Sequence, residues 1–162
     1  MLKTAWIFVA ALFLLTACPI GLNYSLGEPG TEKIDQLLIG TWECDNKDSE
    51  ISIIQFLPRD KYSLTAKVLE QGLSFAAEDE EFVVYQTVLE GQLFLIFKGS
   101  GDSDWYHYHY RLDGDKIVFH DVSLLLGGVE AVTSTRSLRE EVSQSMQMEG
   151  WGSEKNELHR IN

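Results

Sequence analysis

From residue 41 onward the chain is written largely in period two. Tyr62, Leu64, Ala66 and Val68 alternate with Ser63, Thr65 and Lys67, the pattern of an antiparallel strand with one face in a core and one in water. Residues 41–44 and 51–57 are also strand-like, the second a nearly continuous apolar run interrupted by Ser52 and Gln55. Pro58-Arg59-Asp60 supplies the turn that follows. Residues 82–89 and 92–98 read as a hairpin across Glu90-Gly91, with Leu93, Leu95 and Phe97 on one face. Residues 105–112 and 116–120 read as another across Asp113-Gly114, a strong short-range hairpin signal. About seven short strands joined mostly by tight turns predict a mainly β fold, an antiparallel meander. Closing it into a small barrel removes the edges that would otherwise invite aggregation.

Helical spacing is confined to the two ends of this pattern. Thr31 as cap, Glu32 in a first turn, Ile34, Leu37 and Leu38 on one face and Gly40 as stop predict a short N-terminal helix. Near the C-terminus, Ser137-Leu138-Arg139-Glu140 reads as a capping box. Leu138, Val142 and Met146 then make an apolar stripe, and Gly150 is the expected stop of this C-terminal helix. Residues 157–161 fit either a last strand or an ordered tail.

The first residues follow a different logic. Lys3 precedes an apolar run over residues 5–15, which is 11 residues long. That is too short to cross a bilayer, which takes ~20, and it suits a secretory signal. The run ends on Leu15-Thr16-Ala17-Cys18, which resembles the lipobox of bacterial lipoproteins. The resemblance implies cleavage before Cys18, a palmitate-type acyl modification of that residue and anchoring of the protein to a membrane. Several acyl chains hold stably, where a single one binds only reversibly. The expected division is then 1–17 signal peptide, 18–30 lipidated tether and 31–162 barrel domain. Two prolines and three glycines within residues 19–30 support the tether. Pro19, rather than aspartate, follows the cysteine, so by the same resemblance the outer membrane of the cell envelope is favoured.

Residues 34–44, in which the expected short helix leads into Gly40-Thr41-Trp42, are similar to the opening of lipocalin and fatty-acid-binding barrels. Glycine lets the backbone turn tightly into the first strand, and tryptophan covers the closed end of a barrel with a large apolar side chain. The lipocalin resemblance implies a basic residue near the C-terminus stacked on that tryptophan, and Arg160 is the candidate.

Charge and cysteine content narrow the partners. The formal net charge is −12, and loss of residues 1–17 leaves 12 basic against 25 acidic side chains, or −13. Such a chain lacks the basic footprint that nucleic acid requires and is not drawn electrostatically to anionic lipid. With Cys18 acylated, Cys44 has no intramolecular partner and reads as a small buried hydrophobe.

Among candidate functional residues, the run Trp105-Tyr106-His107-Tyr108-His109-Tyr110 stands out. On a strand, Trp105, His107, His109 and Arg111 share one face, while Tyr106, Tyr108, Tyr110 and Leu112 share the other. Aromatic surfaces with a few polar groups line small-molecule pockets, so Trp105, Tyr106, Tyr108 and Tyr110 are the expected ligand contacts. His107, His109 and His120 lack a defined third or fourth partner for zinc, and the loop of residues 99–104 lacks the bidentate acid that calcium sites use. Residues 72–77 and 123–128 hold apolar side chains in irregular sequence: a portal or partner contact if exposed, core if tucked beneath the last helix. No nucleophile elbow, zinc-protease motif or phosphate loop is present. The expectation is a non-catalytic envelope lipoprotein, without cofactor or metal, that binds a small apolar ligand. The alternative is a filled barrel serving as a structural or protein-interaction module of the envelope.

Overall fold

The computed structural model describes residues 20–46, 51–72, 77–153 and 155–161. Eight strands form a closed antiparallel barrel in sequence order: β1 (Gly40–Cys44), β2 (Ile51–Pro58), β3 (Ser63–Gln71), β4 (Glu81–Leu89), β5 (Gln92–Gly99), β6 (Tyr106–Asp113), β7 (Lys116–Asp121) and β8 (Asn156–Ile161). The expected closed meander is therefore present, and the ambiguous C-terminal stretch is a strand. β8 lies between β1 and β7, with Trp42 opposite Arg160 and Ile117 opposite Leu158. It satisfies the backbone groups of two strands that would otherwise be edges.

Alternation sorts the side chains into two apolar layers. Inside the barrel lie Trp42, Ile54, Phe56, Leu64, Ala66, Val68, Val84, Leu95 and Tyr110, among others. Cys44 belongs to this layer, buried and free. On the outside of β4, β5 and β6 a second layer gathers Tyr85, Phe94 and Ile96 with Leu22, Leu26, Val122, Leu125, Leu138 and Val142. That layer is covered by α1 (Thr135–Ser145) and by the residues that precede β1.

Glu90 and Gly91 both take positive φ, at 53° and 76°, in the two-residue turn between Leu89 and Gln92. In the next hairpin Asp113 pairs with Lys116, so Gly114-Asp115 forms the turn, one residue later than predicted, with Gly114 at φ 62°.

Four expectations are corrected. The N-terminal helix is only a single 3-10 turn, Gln36–Leu38, capped by Asp35. Ile34 gives its N–H to the Lys61 carbonyl instead of to a helix, and Leu37 is 68% exposed, so the predicted face of Ile34, Leu37 and Leu38 is not buried as a unit to stabilise further turns. The C-terminal helix is present but starts a turn early: Ser134 is its cap and Ser137 the third residue of the reciprocal box. It ends at Ser145 with Met146 as C-cap, before Gly150, which sits in a later turn at φ 86°. Finally, residues 20–27, read as tether, are packed: Leu22 and Leu26 are 1% and 0% exposed. Burying each such leucine stabilises by about 1.5–3 kcal/mol, which outweighs the flexibility of the neighbouring glycines.

Candidate functional site

One end of the barrel is plugged. Ile34 and Leu38 join the inner layer there, and Trp42 is fully buried with its indole N–H donated to the Leu38 carbonyl at 2.8 Å. Arg160 lies 4.2 Å from the Trp42 ring centre and donates to the carbonyls of Ile39 and Leu37 at 2.7 and 2.6 Å. The stacking expected for Arg160 is thus observed, and it also satisfies the carbonyls that end the 3-10 turn. Gly40, at φ 142°, has its missing side chain replaced by the Arg160 guanidinium.

The opposite end, where β1, β3, β5 and β7 finish, is an aromatic mouth. Phe97 contacts Phe56, Phe82 and Tyr108 edge-on at 6.2, 6.1 and 5.3 Å between ring centres. Tyr108 continues the series to Phe119 at 5.8 Å. Phe97, Tyr108 and Phe119 are only half-buried although they point inward. Tyr106, paired with Phe97, shares this face. Tyr110 lies deeper, 2% exposed, its hydroxyl donated to Gln86 at 2.5 Å and its pKa raised by burial and by the nearby Asp35 charge.

The four expected ligand contacts are therefore divided. Tyr106, Tyr108 and Tyr110 face the interior. Trp105 faces outward, edge-on to Tyr85 at 5.9 Å and beneath the Lys98 ammonium at 4.4 Å. Alternation along β6 forces this split, because neighbours on a strand cannot share a face. Phe97 and Phe119 are members of the wall that were not singled out from sequence. The signal was the hairpin register, which sets Phe119 opposite Tyr110.

Outside the barrel, residues 20–27 form a strap over β6. Leu22 and Trp105 exchange two backbone hydrogen bonds of 2.9 and 2.8 Å. The Leu26 N–H is donated to His107 Nε2 at 3.1 Å, and Arg139 from α1 donates to the Leu26 carbonyl at 2.8 Å. Tyr85 hydrogen-bonds Ser25 and the Gly27 carbonyl, and burial pushes its hydroxyl up to about 12. His107 is 1% exposed with Nδ1 unpartnered, and burial lowers its pKa to about 3. The His109 and His120 rings lie 4.7 Å apart, tilted at 45°, with Trp151 edge-on to His120 at 4.4 Å. Burial first, then the neighbouring His109, brings His120 down to about 4. His107 is thus committed to the strap, and the three histidines do not form a ligand set among the described residues.

Asp121 ends β7 at the mouth. Its carboxylate is buried without a fully formed hydrogen bond; burial raises its pKa to about 7, opposed by the backbone N–H groups of Ile20 and Val122 that lie against it. On the exterior of β8, Asp45, Glu157 and His159 bring three potential ligand atoms within 4.8 Å of one another. The Lys116 ammonium holds Glu157 at 2.7 Å and His159 lies 2.8 Å from Asp45, so these groups work as a surface charge network.

Of the two apolar loops, most of residues 72–77 lie outside the described residues. In the other, Leu125 is buried beneath α1 whereas Leu124 and Leu126 are 45% and 57% exposed. Cys18 also lies outside the described residues, and among those described no helix is long and apolar enough to cross a membrane. No protein-family model, curated protein or solved structure matches this chain.

Proposed function

We propose that this protein is a lipid-anchored lipoprotein of the bacterial envelope, held through Cys18, whose lipocalin-like barrel takes up a small apolar ligand without catalysing a reaction. The observation that carries the reading is the inner aromatic wall, Phe97, Tyr108 and Phe119, left half-buried at the mouth of the barrel. Aromatic rings with one or two polar handles suit an acyl chain or flat ring system entering from that end. The test is titration of the Cys18→Ser chain with a fluorescent fatty acid. Saturable binding is expected, weakened at least several-fold by Tyr108→Ala. A folded protein with no saturable binding would reject the cup.

The packing of the plugged end favours a second reading in which the barrel is solid and its rim engages another envelope protein. Trp42 is 0% exposed there, as are Leu64 and Val84 elsewhere in the inner layer. A specific heterocomplex on crosslinking in intact cells, together with failure of the fatty-acid titration, would select this alternative.

A further inference from the structure

Asp121 lies on the inward side of β7. Ile117 and Phe119 belong to the inner layer, and alternation gives Asp121 the same side. Its cross-strand partner is Tyr108. In the adjoining pair the Val122 N–H is donated to the His107 carbonyl at 2.9 Å. Tyr108 and Asp121 are thus a non-hydrogen-bonded pair, the kind whose side chains approach most closely. Asp79, Glu157 and Asp45 each have a lysine or histidine against them. Asp121 has none among the described residues, and it is the one acid there with both oxygens out of water and no fully formed hydrogen bond. A carboxylate kept in that state is costly, and it points to a cation as the missing partner.

The surroundings suit a cation and not an anion. Tyr108 meets Phe97 and Phe119 edge-on at 5.3 and 5.8 Å, and ring faces attract positive charge. Among the described strand residues the inward positions carry one base, Arg160. It is spent at the plugged end on the Trp42 ring and the carbonyls of Leu37 and Ile39. The loops joining β3 to β4 and β5 to β6 at the mouth hold Glu78, Asp79, Glu80, Asp102 and Asp104, with neither lysine nor arginine. Such a rim concentrates cations.

Resting on the reading of the barrel as a cup for apolar ligands, we propose that the ligand is a cationic amphiphile, an amine whose ammonium pairs with Asp121 over the rings of Tyr108 and Phe119 while its apolar body lies against Phe97. One staggered step about the Asp121 Cα–Cβ bond turns the carboxylate from the Ile20 N–H toward the Tyr108 ring. Three donors on the ammonium then supply the hydrogen bonds that the buried oxygens lack.

The experiment titrates the Cys18→Ser chain at about pH 8, where an alkylamine is protonated. Two probes of equal alkyl length carry dansyl at one end and a primary amine or a hydroxyl at the other. Expected is saturable binding of both, with the amine favoured on the order of tenfold. Asp121→Asn removes that preference and leaves the alcohol's affinity unchanged. Phe119→Leu, which keeps apolar bulk but no ring, reduces the preference as an independent check. Equal affinity for the two probes rejects the cationic head and leaves the cup standing. A preference that survives Asp121→Asn places the attraction in the acidic loops and overturns the role of Asp121. A folded protein that binds neither probe removes the cup, and the inference with it.

Discussion

Asp121 and the histidines behind the strap give single residues opposite effects on stability. Asp121 is raised from 3.8 to about 7, so the folded state holds its proton more tightly than the unfolded chain. Its burial penalty is absent below the lower value and complete above the upper one. His107 and His120 are lowered from 6.5 to about 3 and about 4. The unfolded chain therefore binds protons more readily there, and stability falls as pH drops from 6.5 toward those values. Asp121→Asn is expected to raise the urea midpoint above about pH 7, with the gain fading toward pH 4, and to steepen the loss of stability below 6.5. Urea denaturation across that range checks it, and a gain independent of pH would contradict the assignment. At this scale the resemblance carried by Gly40-Thr41-Trp42 implied a basic partner for the tryptophan, and Arg160 supplies it. The sequence was silent on Asp121, whose burial depends on a strap from the other end of the chain.

At the scale of elements, the strap is the feature that composition concealed. Residues 19–30 hold three glycines and two prolines, yet Gly27 is required by contact rather than by freedom. A Cβ there would sit 2.6 Å from Thr87 Cβ. Gly27→Ala is expected to cost about 1–3 kcal/mol by overpacking. It should also speed amide exchange at Leu22 and Leu26, whereas unchanged exchange would show the strap to be independent of this contact. The strands of both hairpins were legible because alternation and turn residues agree. The N-terminal helix misled because Ile34, Leu37 and Leu38 have helical spacing, but the barrel end takes Ile34 and Leu38 and leaves Leu37 in water. The capping box was displaced because Ser134 and Ser137 are equally good caps by residue type, and only the Ser137 N–H bond to Ser134 distinguishes them.

For the whole molecule, closure depends on the last strand. β8 pairs with both β1 and β7 and brings Leu158 and Arg160 to the interior and the plug. Deleting residues 156–162 is expected to expose two edges and drive aggregation on size exclusion relative to the full chain; a soluble truncation eluting like the full chain would show that the remaining strands close by themselves. The alternating pattern determined by itself that the chain is a β meander, because only one register of each strand hides its apolar face. The tyrosine face of β6 followed from the same rule. Which face of the sheet became the interior, which residues met at the mouth, and how the strap and α1 cover the outer layer were decided only in three dimensions. Both faces of β4, β5 and β6 carry large apolar residues, so hydrophobicity along the chain ranks them equally. Closure of β8 onto β1 places one set in the barrel and leaves the other to be buried by residues far away in sequence.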